Sequence, residues 1–473
     1  MKPDDVLLER WNDVLARKGG AAAIFDTRGH VNQTFSSVES QARLFESGLD
    51  PFEAGDVLAV QIGNREEWPS ILLSCLRRKL VIVPLEQSIT EKQRDAALNI
   101  CNAAGLVACA PQPVGKNSLD LAFLGKHTPK WKRPPSLLKL TSGTTAAPRA
   151  VRFRSEQLLA DCNQICETMG ISDVDLNFGV IPISHSYGFS NLLTPLIAHG
   201  VPLVLSRDQT PRAVLDGLAQ SGATVFPGTP AFFQAFAEME NPSTPPKLRL
   251  CISAGAPLPL SVAKKFRQKF GLSIRSFYGA SECGGICYDR EAKNEIEGFV
   301  GGPMHGVDLE MIESQAESSQ VRVRSAAAGD GYFPQDYEEK LGNGIFVPDD
   351  LLAREGDGFK IVGRVSDLIN VAGKKVNPVE IEEQLQRAPG VRKAIAFGRE
   401  SRLRNEEVAV CVVADVDPAT GLTKNLRESD LLEYCRGSLS PWQMPKRIFV
   451  VDSIPVNERG KISRRELAKR FSL

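Results

Sequence analysis

Residues 140–151 read LTSGTTAAPRAV. A short apolar approach, residues 136–140, reads as a strand that delivers the chain into this loop. Four hydroxyl side chains follow, Thr141, Ser142, Thr144 and Thr145, around Gly143, and Arg149 comes after Pro148. Backbone N–H groups and hydroxyls in such a loop can hold an anion. Gly143 lets the backbone approach a ligand closely, and the Arg149 guanidinium can neutralise phosphate charge bidentately. The pattern is not G-x-x-x-x-G-K-[ST], so the loop is no Walker A motif. Taken alone, the same composition suits any polar surface loop; what surrounds it decides.

Upstream, residues 22–36 carry a hairpin signal at Asp26-Thr27-Arg28-Gly29. Then come a helix over 37–48, a strand over 56–62, a helix over 66–80, a strand over 81–85, a helix over 90–104 capped by Thr90, and a strand over 106–110. Residues 111–136, rich in Pro, Lys and Gly, read as a connector. Downstream, a helix over 155–168 precedes strands at 177–182, 202–205, 224–226, 250–253 and 274–277. Helices at 210–220, 230–239 and 258–269 alternate with them. Alternation of this kind predicts largely parallel α/β sheets. Several strands end in polar or glycine-rich turns, TSGTT, PISHSYG, SAGAP and YGASE. Ligands in open α/β sheets bind beyond such carboxyl ends. From about residue 295 short strands predict a β-rich subdomain. A helix at 378–388, strands at 391–397, 408–414 and 447–451, and a helix at 429–438 complete a small α+β unit. The predicted class is α/β: a large N-terminal domain of two α/β sheets plus a β-rich subdomain, 1–364, and a small α+β lid domain, 365–473.

The length of 473 residues calls for more than one domain. Lys+Arg and Asp+Glu both number 57, so the formal net charge is zero, which argues against a nucleic-acid or membrane-surface protein. The start, MKPDDVLLERWND, is too polar for a signal peptide, and no apolar run reaches bilayer length. The ten cysteines are scattered. Cys162/Cys166 and Cys283/Cys287 have the spacing of helix neighbours, but no second pair or histidine follows at zinc-ligand spacing. They read as free buried thiols in a reducing cytoplasm.

The ordered set TSGTTAAPRA, SAGAP, YGASE, DDLL…GFKIVGR, GKKVNPVEIE and PVNERGKISRREL resembles the adenylate-forming (AMP-binding) superfamily that includes acyl-CoA and aryl-CoA synthetases. The resemblance runs from about residue 20 to the C-terminus. It implies a two-step reaction. A carboxylate attacks the α-phosphate of Mg·ATP to give acyl-AMP and pyrophosphate; a thiol, usually of coenzyme A, then displaces AMP. It also implies a C-terminal domain that rotates between the steps.

Carried over residue by residue, the resemblance gives Thr141, Ser142, Gly143, Thr144, Thr145 and Arg149 to the phosphates. Ala146, Arg149 and Ala150 stand where Gly or Ser, Lys, and Gly are common. Gly255, Ala256, Pro257, Tyr278 and Gly279 would enclose the adenine, with Ile361 packed against it. Ser281 would reach a phosphate or acyl oxygen, and Glu282 would ligate Mg²⁺. Asp350 would hold the ribose, with Asp349 a second candidate, and Arg364 would lie near ribose and phosphate. Ser366 occupies the expected hinge, followed by Asp367. Lys461 would bridge carboxylate and α-phosphate during adenylation, a charge that develops only in the transition state. Gly373, Lys374 and Lys375 would line the pantetheine path of coenzyme A. His185 would gate or line the acyl site, with Phe189, Phe226, Ala254, Gly279 and Gly284 around it. No Asp stands in ISHSYGFS, which favours an acid without an α-amino group, and the aromatics favour an aryl or medium-chain acid. Loading of a carrier protein, or a non-catalytic nucleotide- or acyl-binding role, stay open.

Overall fold

The computed structural model describes residues 5–109, 119–125, 127, 131–141, 149–293, 295–334, 340–371, 374–401, 405–416, 426–455 and 462–471. The chain divides into two compact units: residues 1–312, 321–348 and 354–360, and residues 313–320, 349–353 and 361–473.

The larger unit contains a seven-stranded sheet ordered Gly331–Phe333, Arg149–Phe153, Leu137–Thr141, Val81–Pro84, Val57–Gln61, Gly105–Cys109, Leu119–Phe123. Its centre is parallel and its edges are antiparallel. Val57–Val60 and Val81–Pro84 are buried throughout, as strands covered on both faces must be. The neighbouring helix Glu91–Ile100 starts at a capping box in which the Thr90 hydroxyl accepts the Gln93 N–H and the Gln93 amide answers the Thr90 N–H.

Three strands before residue 295 were not legible as strands: Leu119–Phe123, Arg149–Phe153 and Gly284–Tyr288. Leu119–Phe123, half exposed at the sheet edge, falls in the stretch read as a connector. Arg149–Phe153 pairs antiparallel with Leu137–Thr141, Thr141 standing opposite Arg149. Three helices were also missed: Val6–Lys18, capped by Asp5, the helical run from Ser186 to His199, and Arg464–Arg470.

A second sheet in this unit runs Val31–Thr34, Ala22–Phe25, Leu203–Leu205, Asn177–Gly179, Val225–Gly228, Leu250–Ser253, Ile274–Ala280, Gly284–Tyr288, Phe299–Pro303. Residues 203–205, 177–179, 225–228, 250–253 and 274–276 are parallel neighbours, so their carboxyl ends lie side by side. Pro211 and Pro230 open the helices Pro211–Ser221 and Pro230–Glu238, where the missing N–H costs nothing. A small antiparallel sheet, Val307–Met311, Val321–Ser325, Ile345–Phe346 and Leu341–Gly342, accounts for the change of pattern after residue 295.

The smaller unit is built on Lys374–Val376, Ile369–Val371, Asn405–Ala414 and Val391–Ser401, with Arg447–Val450 parallel to the third of these. The helices Pro378–Gln386 and Glu428–Arg436 cover one face through Ile381, Leu385, Leu431 and Cys435. The helix Arg464–Arg470 covers the other through Leu467.

Candidate active site

The two ends of the hydroxyl loop are fixed by the ladder, and the Thr141 hydroxyl donates to the Arg149 carbonyl at 3.3 Å. Ser142, Gly143, Thr144 and Thr145 lie outside the described residues. From the end of the loop, the Arg149 guanidinium sits 4.7 Å over the ring of Tyr332. The Tyr332 hydroxyl in turn donates to Glu282 Oε1 at 3.2 Å. Strand Gly331–Phe333 holds this tyrosine in place by pairing with Arg149–Phe153. The Gly329 N–H donates to the Glu282 carbonyl at 2.9 Å. A Cβ at Gly329 would stand 2.5 Å from the Val151 side chain, so only glycine permits this approach. Burial, then the Glu282 charge, pushes the Tyr332 phenol well up, so it stays a donor. Tyr332 was not among the residues picked from the sequence. It lies 50 positions from Glu282, and nothing local in GDGYF marks it.

A clamp secures the same strand. Arg154 Nε and Nη2 donate to Asp330 at 2.7 and 3.2 Å, and Gln157 Nε2 adds a bond of 2.8 Å. Burial would raise the Asp330 carboxyl, but Arg154 and Gln157 hold it below its ordinary 3.8. A depressed carboxyl stabilises the fold above its unfolded value and loses that contribution as pH falls through the folded one. Thermal melts should therefore show the parent losing more stability than Asp330→Asn between pH 5 and about pH 3. Equal losses would mean the clamp carries no such linkage.

Beneath the Glu282 turn lie two buried charged side chains that no sequence motif marks. Lys139 is 5% exposed. Its ammonium donates to Ser190 Oγ at 3.3 Å and sits 4.6 and 5.9 Å from the rings of Phe153 and Phe189. Burial pulls its pKa down, against the opposing pull of Asp161, Cys283 and Glu282. Asp161, 3% exposed, accepts the Gly285 N–H on Oδ1 at 3.0 Å, while its Oδ2 is buried with no hydrogen-bond partner among the described residues. Gly284 has φ +70°, and a Cβ there would stand 2.1 Å from Asp161 Oδ1. The Gly284-Gly285 pair thus seats the turn on Asp161.

The adenine candidates stand at adjacent strand ends. Gly255, at φ +87°, opens the exposed turn with Ala256 and Pro257 after Leu250–Ser253. Tyr278 (8% exposed) and Gly279 belong to Ile274–Ala280, and Ser281 follows. A Cβ on Gly279 would come within 2.6 Å of the Gly284 carbonyl. Of the acyl candidates, Ala254 is buried and its N–H donates to the Gly228 carbonyl at 3.2 Å. Phe189 is buried beside Lys139. Phe226 sits in the apolar core, its ring against Phe178, Phe232, Phe233 and Phe236. His185, with its side chain 61% exposed, precedes the helix Ser186–Gly188 and has Nε2 3.8 Å from Glu86 Oε2. Ser184 Oγ donates to the same oxygen at 3.1 Å. The stretch ISHSYGFS has no acid of its own, yet the fold brings one to it.

In the smaller unit, Arg364 Nε donates to Asp350 Oδ1 at 2.7 Å, so the ribose candidate and its arginine are already paired. Ile361 lies on the same strand, Gly358–Arg364. The Asp349 carbonyl and carboxylate accept the N–H groups of Val365 and Ser366 at 2.8 and 3.2 Å. Asp367 is held by Arg464 Nη1 at 2.5 Å, and the same guanidinium reaches Glu382 at 2.8 Å and the Ala396 carbonyl at 3.0 Å. Arg464 therefore ties the residue after the expected hinge to the segment just beyond Lys461. Lys374 is exposed, its Nζ 3.6 Å over the Trp442 ring, and Lys375 is exposed beside it. Gly373 and Lys461 lie outside the described residues.

Residues 11–332 match the family profile described as AMP-binding enzyme, and residues 380–461 match the AMP-binding enzyme C-terminal domain. The chain belongs to the AMP-binding enzyme family. Among similar proteins is a feruloyl-CoA synthase of Amycolatopsis sp, 26% identical, with 94% of this chain and 95% of that one aligned. A 3,4-dihydroxybenzoate–[aryl-carrier protein] ligase of Bacillus anthracis is 24% identical over 70% of this chain and 73% of its own. In fold, the chain is similar to ATP-bound MatB from Rhodopseudomonas palustris, with TM-score 0.83, 20% identity and 98% of each chain covered. The relatives of this AMP-binding enzyme are CoA ligases and related adenylate-forming enzymes. No helix among its described residues is long and apolar enough to cross a membrane.

Proposed function

We propose that this AMP-binding enzyme is an ATP-dependent acid–thiol ligase. It would join a carboxylic acid to AMP with release of pyrophosphate, then pass the acyl group to coenzyme A. The observation that carries this reading is the chain Arg149–Tyr332–Glu282, which links the cation at the end of the hydroxyl loop to the carboxylate proposed for Mg²⁺. Glu282 fits that ion by donor chemistry, a hard carboxylate oxygen fixed in orientation by the Tyr332 hydroxyl. When bound, Mg²⁺ would neutralise phosphate charge.

The protein's own part is positioning. The hydroxyl loop and Arg149 hold the phosphates; the Gly255–Pro257 turn and Tyr278 receive the adenine; Asp350, oriented by Arg364, accepts the ribose hydroxyls. Residues 1–364 supply these groups except where the chain passes into 365–473, which brings Lys461 to the α-phosphate and, after rotation about Ser366-Asp367, Gly373 and Lys374 to the acceptor thiol. His185 and Phe189 border the acyl group.

A carrier-protein acceptor is the second reading, favoured by the similarity to an aryl-carrier-protein ligase. Pyrophosphate release across a panel of carboxylic acids, with and without coenzyme A, tests both. Release that depends on the acid and turns over faster with coenzyme A supports the proposal. Acid-dependent release indifferent to coenzyme A transfers it to the carrier protein. Binding of ATP without release for any acid leaves a non-catalytic binder. Tyr332→Phe removes one hydrogen bond to a carboxylate, about 1.5–3 kcal/mol. It should raise the Mg²⁺ concentration for half-maximal rate and slow adenylation about tenfold or more. An unchanged Mg²⁺ dependence would remove Tyr332 from the site.

A further inference from the structure

The helix Ser155–Met169 carries Cys162 and Cys166 one turn apart, and the helix Thr194–His199 ends at His199. The two helices pack together. One sulfur from each cysteine and one ring nitrogen of His199 all lie within 4.8 Å of one another. Cys162 is fully buried, Cys166 is 5% exposed, and both are free thiols. His199 is half-buried, and its Nε2 is 2.9 Å from Asn163 Oδ1, a contact that sets the plane of the ring. No sequence spacing announces this trio, because His199 reaches it only through helix packing. It is the only group of three or more candidate ligands brought together among the described residues.

We propose that Cys162, Cys166 and His199 form a binding site for a thiophilic d¹⁰ cation, Zn²⁺ or Cu⁺. Two sulfurs and an imidazole are the donor set such ions prefer, whereas Mg²⁺ and Ca²⁺ require oxygen. In a tetrahedral zinc site, bonds of about 2.0–2.3 Å place donor atoms about 3.5–3.8 Å apart. The three donors would draw together by about 1 Å, within reach of small side-chain rotations. Binding releases the thiol protons to solvent and moves no electrons. Three protein donors leave one position for water, and Asn163 supplies the outer hydrogen bond that orients a ligating imidazole. The site would pin the helix of Asp161, on which the Glu282 turn rests, to the helix that follows Phe189. It stands independently of the acid–thiol ligase reading.

The test uses the full chain, reduced and metal-free, titrated anaerobically with Co²⁺ and then with Zn²⁺ or with Cu⁺ buffered by a chelator. One equivalent of Co²⁺ should give a thiolate-to-metal charge-transfer band that Zn²⁺ or Cu⁺ displaces. The metal content of protein taken directly from cells then says which cation is resident. His199→Gln should weaken binding at least about 100-fold, Asn163→Ala about tenfold, and Cys162→Ser/Cys166→Ser should abolish the band. If the double variant fails to fold by circular dichroism, the half-exposed His199→Gln decides. No band in the parent, or an equal band in His199→Gln, overturns the site.

Discussion

Replacing Lys461 by alanine should lower acid-dependent pyrophosphate release by about 10²–10³-fold while leaving ATP binding nearly unchanged. A flexible point cation that meets charge developing between carboxylate and α-phosphate stabilises the transition state and adds little to ground-state affinity. The segment that begins at Ile462 is firmly held. Ser463 caps the helix Arg464–Arg470, and Ile462 packs with Phe397 and Leu467. Arg464 binds Asp367, Glu382 and the Ala396 carbonyl, so the chain is anchored directly after Lys461. Lys461→Arg keeps the charge but spreads it over a planar fork and should restore only part of the rate. A fall in ATP affinity matching the fall in rate would assign Lys461 to nucleotide binding instead. An unchanged rate would make RGKIS a solvated basic tail.

Asp161→Ala should destabilise the larger unit by about 3–5 kcal/mol, the cost of leaving a buried charge uncompensated. Asp161 opposes the burial of the Lys139 ammonium and holds the Gly285 N–H. Its loss leaves the Gly285 N–H without this acceptor, and Lys139 with the Ser190 hydroxyl, the faces of Phe153 and Phe189 and the more weakly acting Glu282 charge. Lys139→Met/Asp161→Ala should recover much of the loss, because replacing both members of a buried pair by apolar groups is often near neutral. The double-mutant cycle, read from denaturant unfolding of the larger unit, checks this. Additive losses would show that the two charges do not compensate each other. The activity readout is separate. The double variant should still adenylate poorly, since Gly285 loses its seat and the Glu282 turn with it.

The sequence made the repeating architecture legible because apolar runs bounded by capping and turn residues leave few alternatives. Thr90, Pro211 and Pro230 mark helix starts that the structure shows. Leu119–Phe123 escaped because a half-exposed edge strand lacks the buried run that betrays a central one. Cys283 and Cys287 have helical spacing but lie in a turn and in the strand Gly284–Tyr288. Spacing alone does not distinguish a helix from a hairpin there. Of the candidate site, the motif residues came from the resemblance. What joins them did not. Tyr332, Lys139, Asp161 and Glu86 act across long sequence separations, through pairing and burial that only the folded chain creates.

The proposed reaction of this AMP-binding enzyme stands on formation of an acyl-adenylate. Isotope exchange between pyrophosphate and ATP tests it most directly, because exchange requires reversible adenylate formation and no thiol acceptor. Exchange should depend on a carboxylic acid and collapse in Lys461→Ala. Exchange that persists without any acid, or that is undiminished in Lys461→Ala, would contradict it.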